Sequence, residues 1–204
     1  MLELVNDLLD VAKLESGKFD IHNQQEDIRE IIRERISFFK TSAKASEITV
    51  KEFFGINLPE KVNFDPRRIA QVLNNLISNA IKFTPVNGTI NIQTLLHKKG
   101  RNIEEEAKMA NIEWFLKNNE QNIANIPDSL VVVITDSGAG LSSEKIVKLF
   151  SKFKQFEAVV REGEQKGIGL GLVVVKDIVN AHGGVTGVAS VERVGSTFYF
   201  TLPV

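Results

Sequence analysis

The segment that decides the fold is QVLNNLISNAIKFT, residues 71–84. On a helix, which turns about 100° per residue, Asn75, Asn79 and Lys82 fall on one narrow polar stripe. The opposite side carries apolar residues suited to a core, namely Ile69, Leu73, Leu76, Ile77 and Ala80. Amide oxygens are hard ligands that suit Mg²⁺, and Lys82 supplies a compact positive charge. The stripe can therefore hold a hydrated cation beside a phosphate chain, with an ordinary solvent-facing helix surface as the alternative.

Composition excludes several classes of function. The chain has 204 residues, of which 43% are hydrophobic, enough for one well-cored domain, and its net charge of -1 gives no indication of a nucleic-acid partner. It has no cysteine, which excludes disulfides, thiol catalysis and cysteine-bound zinc. No apolar run approaches the roughly 18 residues of a membrane-spanning helix. We expect a cytoplasmic location and no membrane contact for this segment, and we leave open a membrane anchor in the parent protein.

The first half of the chain predicts alternating helices and strands. Residues 1–17 resemble the end of a helix with a wide apolar stripe that needs a partner helix, although an ordinary N-terminal helix is the alternative. Asp65 and Pro66 predict the N-cap and first position of the helix that contains the opening segment, and Pro85 marks its end. The remaining predicted elements are a strand at 19–22, a helix at 26–45, and strands at 48–54, 61–64 and 89–96.

Residues 97–129 interrupt this pattern with charged runs and an asparagine-rich tail. About thirty residues exceed the usual length of a structureless connection, so we predict an insertion that forms either a short added helix or a mobile loop. Within it, Trp114 and Phe115 either pack on the parent domain, which we favour, or form a partner patch.

The second half begins with a continuous β-branched run at 130–135, typical of a strand buried on both faces. This strand leads into DSGAG at 136–140, a helix at 143–150 and a polar segment at 161–166 that we expect to be mobile. The series GIGLG at 167–171 then opens a helix that reaches Ala181, and strands at 185–191 and 196–202 close the chain.

Two glycine-containing loops have the chemistry of a nucleotide site. Gly167, Gly169 and Gly171 precede a helix, where backbone N–H groups and the helix dipole can hold an anion. A Rossmann site would need a strand directly before them, and the Walker lysine is absent. Asp136 can accept a hydrogen bond from the exocyclic amine of adenine, whereas guanine would present a carbonyl oxygen to the carboxylate. A simple tight turn is the alternative for the second loop.

The order and spacing of these segments resemble the ATP-binding domain of sensor histidine kinases, in the superfamily that also contains Hsp90, MutL and type II topoisomerase ATPases. The matching segments are the N box at 71–84, the first glycine box at 136–141, the F box at 149–156, the second glycine box at 166–172 and a last motif at 195–198. Residues 8–18 are similar to the end of the second dimerisation helix of these kinases. The resemblance implies residues 1–17 as part of that helix and residues 18–204 as the ATP-binding catalytic domain, with the insertion at about 97–129.

The resemblance also implies a role for each candidate residue. Asn79 would bind Mg²⁺, and Asn75 and Lys82 would be the catalytic residues beside the ATP phosphates. Phe83 would cover the adenine, and Asp136 would accept its amine. Thr197 would provide a pocket-floor hydroxyl near Asp136. The base pocket and the phosphate site, closed by a lid at 155–166, would further include Gly138, Gly140, Gly167, Ile168, Gly169, Leu170 and Gly171.

The fold expected from these observations is an α/β (α+β) two-layer sandwich: a mixed, mainly antiparallel sheet with helices on one face and an N-terminal helical stub. The implied function is transfer of the γ-phosphate of ATP to a histidine on the dimerisation domain of the same protein, for relay to a response-regulator receiver domain. The full-length protein would be a homodimer. The alternatives are an ATPase clamp of the Hsp90 or MutL type and a degenerate nucleotide-binding interaction module.

The phosphoacceptor histidine is not recognisable in this chain. In the family it lies on the first dimerisation helix, in an H box that we expect before residue 1. His22 lies in the predicted first strand, His97 begins the insertion and His182 precedes a Gly-Gly turn, so we interpret all three as structural or exposed. We therefore expect this segment to bind ATP without phosphorylating itself.

Overall fold

In the computed structural model, the strands and helices follow one another in the order predicted from the sequence. The structure describes residues 20–115, 126–149 and 170–204. The strands are β1 (Gln24–Glu26), β2 (Thr49–Phe54), β3 (Val62–Phe64), β4 (Thr89–His97), β5 (Ser129–Asp136), β6 (Thr186–Val191) and β7 (Gly195–Pro203). The helices are α1 (Ile28–Ala45), α2 (Pro66–Phe83), α3 (Ile103–Met109), α4 (Ser143–Lys148) and α5 (Gly171–Ala181). The helical stub predicted at 1–17 lies outside the described residues.

The main sheet is mixed and mainly antiparallel, as predicted. Its strand order is β2-β4-β5-β7-β6, and β2 and β4 are parallel while the other pairs are antiparallel. A parallel pair needs a long crossover, which here contains β3 and α2. The short strands β1 and β3 pair separately. Because α2 is the crossover, the segment with the polar stripe crosses the sheet and ends beside the start of β4.

Helices α1, α2 and α5 share one core with the sheet. The strands β4, β5 and β7 turn alternate side chains to this core, among them Ile92, Ile134 and Phe200. Helix α2 buries the apolar side that its sequence pattern predicts, including Ile69, Leu73, Leu76, Ile77 and Ala80. Its N-cap is Asp65, whose Oδ1 accepts hydrogen bonds from two backbone N–H groups at 3.0 and 3.1 Å. None of the described helices is long and apolar enough to cross a membrane.

The opposite face of the sheet is covered by the insertion, which forms the short helix α3. The other set of alternating strand residues forms a second buried cluster with α3 and its flanks: Leu95, Val131, Val133, Tyr199, Ile103, Ala107 and Ile112. The three longest of the described helices therefore lie on one face, as predicted, and α3 adds cover on the other. All eight residues of β5 are buried, which confirms the prediction of a strand enclosed on both sides. Trp114 packs on Tyr199 with ring centroids 5.0 Å apart, so it belongs to the parent domain.

The first predicted elements are displaced by a few residues. Residues 20–23 form no strand, so the prediction that His22 lies in a strand is wrong. The strand falls at Gln24–Glu26, where pairing with β3 is available, and the helix begins at Ile28 because Asp27 accepts a hydrogen bond from a backbone N–H as its N-cap. Tertiary pairing and capping thus override the short alternation at 19–22.

Candidate functional site

The polar stripe of α2 lies at the edge of the helical layer. Asn75, Asn79 and Lys82 are each half-buried, while the apolar residues between them enter the core. This arrangement follows from the 3.6-residue period, because burying the apolar side of α2 places the stripe on the opposite side. The three side chains share one helix face, as the sequence predicts.

Helix α5 approaches this stripe at its first residue. A methyl group built on Gly171 would lie 2.7 Å from Asn75 Oδ1, so glycine permits the close contact between the two helices. Leu170 is buried in the core, so only its backbone is available to a ligand, which limits the predicted role of this residue. Gly167, Ile168 and Gly169 lie outside the described residues, as do the predicted lid at 155–166 and most of the F box.

Asp136 is a buried carboxylate at the end of the central strand. Its side chain is only 3% exposed, and Oδ1 accepts a hydrogen bond from the backbone N–H of Gly138 at 2.8 Å. Burial raises the pKa of Asp136 to about 6, against the opposing effect of hydrogen bonds from the backbone amides of Gly138 and Ser196. A titratable group with a strongly raised pKa, next to two loop glycines, is typical of a functional site.

The loop after Asp136 packs against the end of α2. A methyl group on Gly138 would lie 2.5 Å from both Asp136 Oδ1 and the backbone oxygen of Phe83. Gly140 has φ +65 and packs so tightly on Val191 that a side chain would overlap the backbone there. The structure therefore brings the N box and the first glycine box into direct contact.

Phe83 and Lys82 mark the open side of this contact. Phe83 is 40% exposed, and the ammonium of Lys82 lies 5.6 Å from the centroid of its ring. The exposed ring of Phe83 offers a flat apolar surface for a base, and the backbone of the same residue packs against Gly138 of the first glycine box.

Thr197 does not face Asp136, and the prediction that it forms the pocket floor is wrong. Thr197 pairs with Thr135, and its hydroxyl lies 3.2 Å from that of Thr135, on the face of the sheet that the insertion covers. The register pairs Asp136 with Ser196 instead. Because successive residues of a strand face opposite sides, Ser196 is the residue that the sequence reading missed.

Ser196 belongs to a small hydroxyl network behind the loop. Its hydroxyl lies 3.0 Å from that of Ser190, which accepts a hydrogen bond from the backbone N–H of Leu141 at 2.8 Å. Ser190 also donates to the backbone oxygen of Gly195 at 2.8 Å. The network ties the first glycine box to the hairpin of β6 and β7. A Gly-Ser-Thr tripeptide at the start of β7 was the only signal for it in the sequence.

The three histidines are structural or exposed, as predicted. His182 Nε2 accepts a hydrogen bond from the backbone N–H of Asp65 at 3.0 Å, and Nδ1 lies 2.8 Å from a main-chain carbonyl of α5 and must carry the proton. His97 is fully buried, with Nδ1 2.6 Å from Glu106 Oε2. His22 is exposed, and its backbone N–H donates to Asp65 Oδ2 at 3.0 Å.

The donor set on α2 fits Mg²⁺ that is held mainly by other ligands. Among the described residues no group of three or more acidic, histidine or cysteine side chains could hold a metal. The amide oxygens of Asn75 and Asn79 are hard ligands on the helix face that α5 approaches. A site of this kind suits an ion that keeps several waters and shares phosphate oxygens.

The protein is an ATP-binding α/β sandwich, defined by a buried carboxylate at a strand end, a polar stripe on one helix and a second helix that begins with glycine. Residues 64–204 match the family model described as histidine kinase-, DNA gyrase B-, and HSP90-like ATPase. The chain belongs to this family.

Its curated relatives are sensor kinases and related proteins. The autoinducer 2 sensor kinase/phosphatase LuxQ of Vibrio harveyi is 32% identical over 206 residues, which cover 100% of this chain and 21% of LuxQ. The non-motile and phage-resistance protein of Caulobacter vibrioides is 30% identical over 204 residues, again 100% of this chain and 21% of the relative. The chain thus spans about a fifth of the length of these relatives.

Solved structures show the same fold. Full-length ShkA in complex with AMPPNP superposes with a TM-score of 0.76 at 24% identity, covering 99% of this chain and 35% of ShkA. The nucleotide-free catalytic domain of the histidine kinase ThkA gives a TM-score of 0.63 at 25% identity, covering 89% of this chain and 97% of that domain. The sandwich predicted from the sequence is therefore the fold of histidine-kinase catalytic domains.

Proposed function

We propose that this chain is the catalytic domain of a sensor histidine kinase, which binds Mg-ATP and transfers the γ-phosphate to a histidine on a dimerisation domain of the same protein. A response-regulator receiver domain then takes the phosphoryl group on an aspartate. The observation that carries the proposal is that α2 contacts both glycine segments: its end packs against Gly138, which is hydrogen-bonded to Asp136, and Asn75 of the same helix lies against the start of α5. ThkA, a structural neighbour, has been solved with its response regulator TrrA, which supports the relay.

The chemistry of this site is positioning and charge neutralisation. Asp136 accepts the adenine amine on the oxygen that Gly138 does not occupy, and Phe83 covers the base. Asn75 and Lys82 contact the phosphates, and backbone N–H groups at the start of α5 hold them from the other side. Mg²⁺, with Asn79 as its protein ligand, would neutralise charge on the phosphate oxygens. The γ-phosphate then faces an incoming imidazole.

Calorimetric titration with Mg-ATP tests the nucleotide site, with Asp136→Asn and Asn79→Asp as variants. We expect saturable binding by the wild-type chain, with loss of at least tenfold in affinity for Asp136→Asn, the value of a hydrogen bond to a charged group. Equal ATP affinities of the wild type and Asp136→Asn would show that Asp136 does not bind the adenine amine. No binding by the folded wild-type chain would refute the proposed function.

Phosphoryl transfer is tested separately with radiolabelled ATP. Because His97 and His182 have structural surroundings and His22 is exposed outside any described helix, we expect no acid-labile label on this chain alone and label on an added histidine-bearing helical domain. Acid-labile self-labelling would contradict the interpretation of the histidines.

We further propose that the full-length protein is a homodimer and that this domain acts in the cytoplasm.

A further inference from the structure

The insertion reaches the back of the proposed adenine site through its residues 113–115. The hydroxyls of Thr135 and Thr197 each lie 3.2 Å from the backbone oxygen of Glu113 and 3.2 Å from one another. Both threonines are buried, at 2% and 0% exposure. A carbonyl oxygen has two lone pairs, so Glu113 can accept from both hydroxyls and join the insertion to the ends of β5 and β7.

Phe115 adds an apolar contact at the same place. A methyl group on Gly195 would lie 2.9 Å from Cε2 of the Phe115 ring and would overlap the backbone oxygen of Asp136. Phe115, Gly195 and the main chain of Asp136 therefore form a continuous packed stack. In a closely packed interior, a displacement of one of these groups presses on its neighbours.

The geometry of a strand connects these contacts to the ligand side. Thr135 directly precedes Asp136, and their side chains face opposite sides of the sheet. A shift of the β5 end on the insertion side therefore moves the carboxylate on the nucleotide side. Asp136 has to meet the adenine amine at hydrogen-bond distance, where a displacement of a few tenths of an ångström is costly.

We propose that Glu113, through its backbone oxygen, and Phe115, through its ring, are positioning residues for adenine recognition, which hold the Asp136 carboxylate in register from the opposite face of the sheet. The inference rests on the proposed function, because it assumes that Asp136 binds the base. It gives the insertion a role in nucleotide affinity, and anything that binds or reshapes the insertion would alter that affinity through the same contacts.

Two sets of variants test this role. The paired change Thr135→Val with Thr197→Val removes both hydroxyls and keeps the side-chain shape, and Phe115→Ala removes the ring. Thr94→Val is the matched control, because Thr94 is a buried threonine of β4 on the other face, and its hydroxyl accepts from Gly55 N–H at 3.3 Å. Trp114→Ala is a second control, since its ring packs on Tyr199.

Affinity is measured for Mg-ATP and for Mg-inosine triphosphate, in which a carbonyl oxygen replaces the adenine amine, and stability is measured by urea unfolding. We expect both test variants to bind ATP about 3- to 10-fold more weakly, as for the loss of one hydrogen bond, and inosine triphosphate with less than about twofold change. The controls should keep the ATP preference even where stability falls.

Equal weakening for both nucleotides, or unchanged affinities in both test variants, would overturn the inference. A different result would refute the role of Asp136 itself. In that case the wild-type chain binds ATP, but Asp136→Asn removes no preference for ATP over inosine triphosphate. These outcomes separate a failure of the positioning role from a failure of the proposed function.

Discussion

Asp136→Asn should make the ligand-free domain more stable at neutral pH while it weakens ATP binding. The carboxylate is 3% exposed, and the described contacts give it hydrogen bonds from backbone amides without a cationic partner. Burying a charge in this way is unfavourable, and the cost appears as a raised pKa. Asparagine keeps the shape and an oxygen that can accept from Gly138, but it carries no charge.

The magnitude follows from the pKa of Asp136, which burial raises from 3.8 to about 6. A proton binds more tightly to the folded state, so stability falls as pH rises between these two values. At about 1.36 kcal/mol per pKa unit, the ionised carboxylate costs roughly 3 kcal/mol above pH 6. The cost vanishes well below the unfolded-state pKa, and at about pH 4.5 roughly 1 kcal/mol of it is left.

Urea unfolding of wild type and Asp136→Asn at about pH 8 and pH 4.5 measures this difference. We expect the variant to be more stable by up to about 3 kcal/mol at the higher pH and by about 1 kcal/mol at the lower pH. Calorimetry at the higher pH should show its ATP affinity reduced at least tenfold. A variant that is less stable than wild type at both pH values, or a difference independent of pH, would refute the reasoning.

Three further predictions concern the frame around the site. Gly138→Ala should cost about 1–3 kcal/mol in urea unfolding and abolish measurable ATP binding, because a methyl group would strike backbone, whereas Gly100→Ala, in open space, should strain only its own turn and keep ATP affinity. Asp65→Ala should cost about 1–2 kcal/mol near neutral pH. Burial alone would raise the pKa of Asp65, but backbone hydrogen bonds outweigh it and lower the pKa, so the deficit should shrink as pH falls below about 4. Replacing residues 98–128 by a short turn should expose the second apolar cluster and cause aggregation on expression; a soluble product with a cooperative transition would contradict its place in the core.

Local signals in the sequence were sufficient for most of the helical layer. Asp65 and Pro66 define the start of α2 through capping and a fixed φ, and both act within four residues of the helix end. The apolar period of α2 likewise decides which side is buried, and hence where Asn79 and Lys82 lie. These parts were predictable because the physical cause is local.

The sheet register was not predictable in the same way. A one-residue shift exchanges the two faces of a strand, so Thr197 and Ser196 could be told apart only by the pairing of β7 with β5. The packing of the insertion on the second face of the sheet was indicated in the sequence by the continuous apolar run of β5. A strand with every residue buried requires packing on both sides, and the helices account for one side. The insertion was the remaining candidate for the other.

The double burial of β5 also has an evolutionary consequence. Strands β4 and β5 are antiparallel neighbours, so a hairpin turn could connect them without any change of topology. Without the long connection, the apolar side chains of Val131, Val133 and Tyr199 would lose their cover. Among related chains, we therefore expect that those with a short connection between β4 and β5 carry polar residues at these three positions. The length of the connection and the hydrophobicity of the three positions should covary.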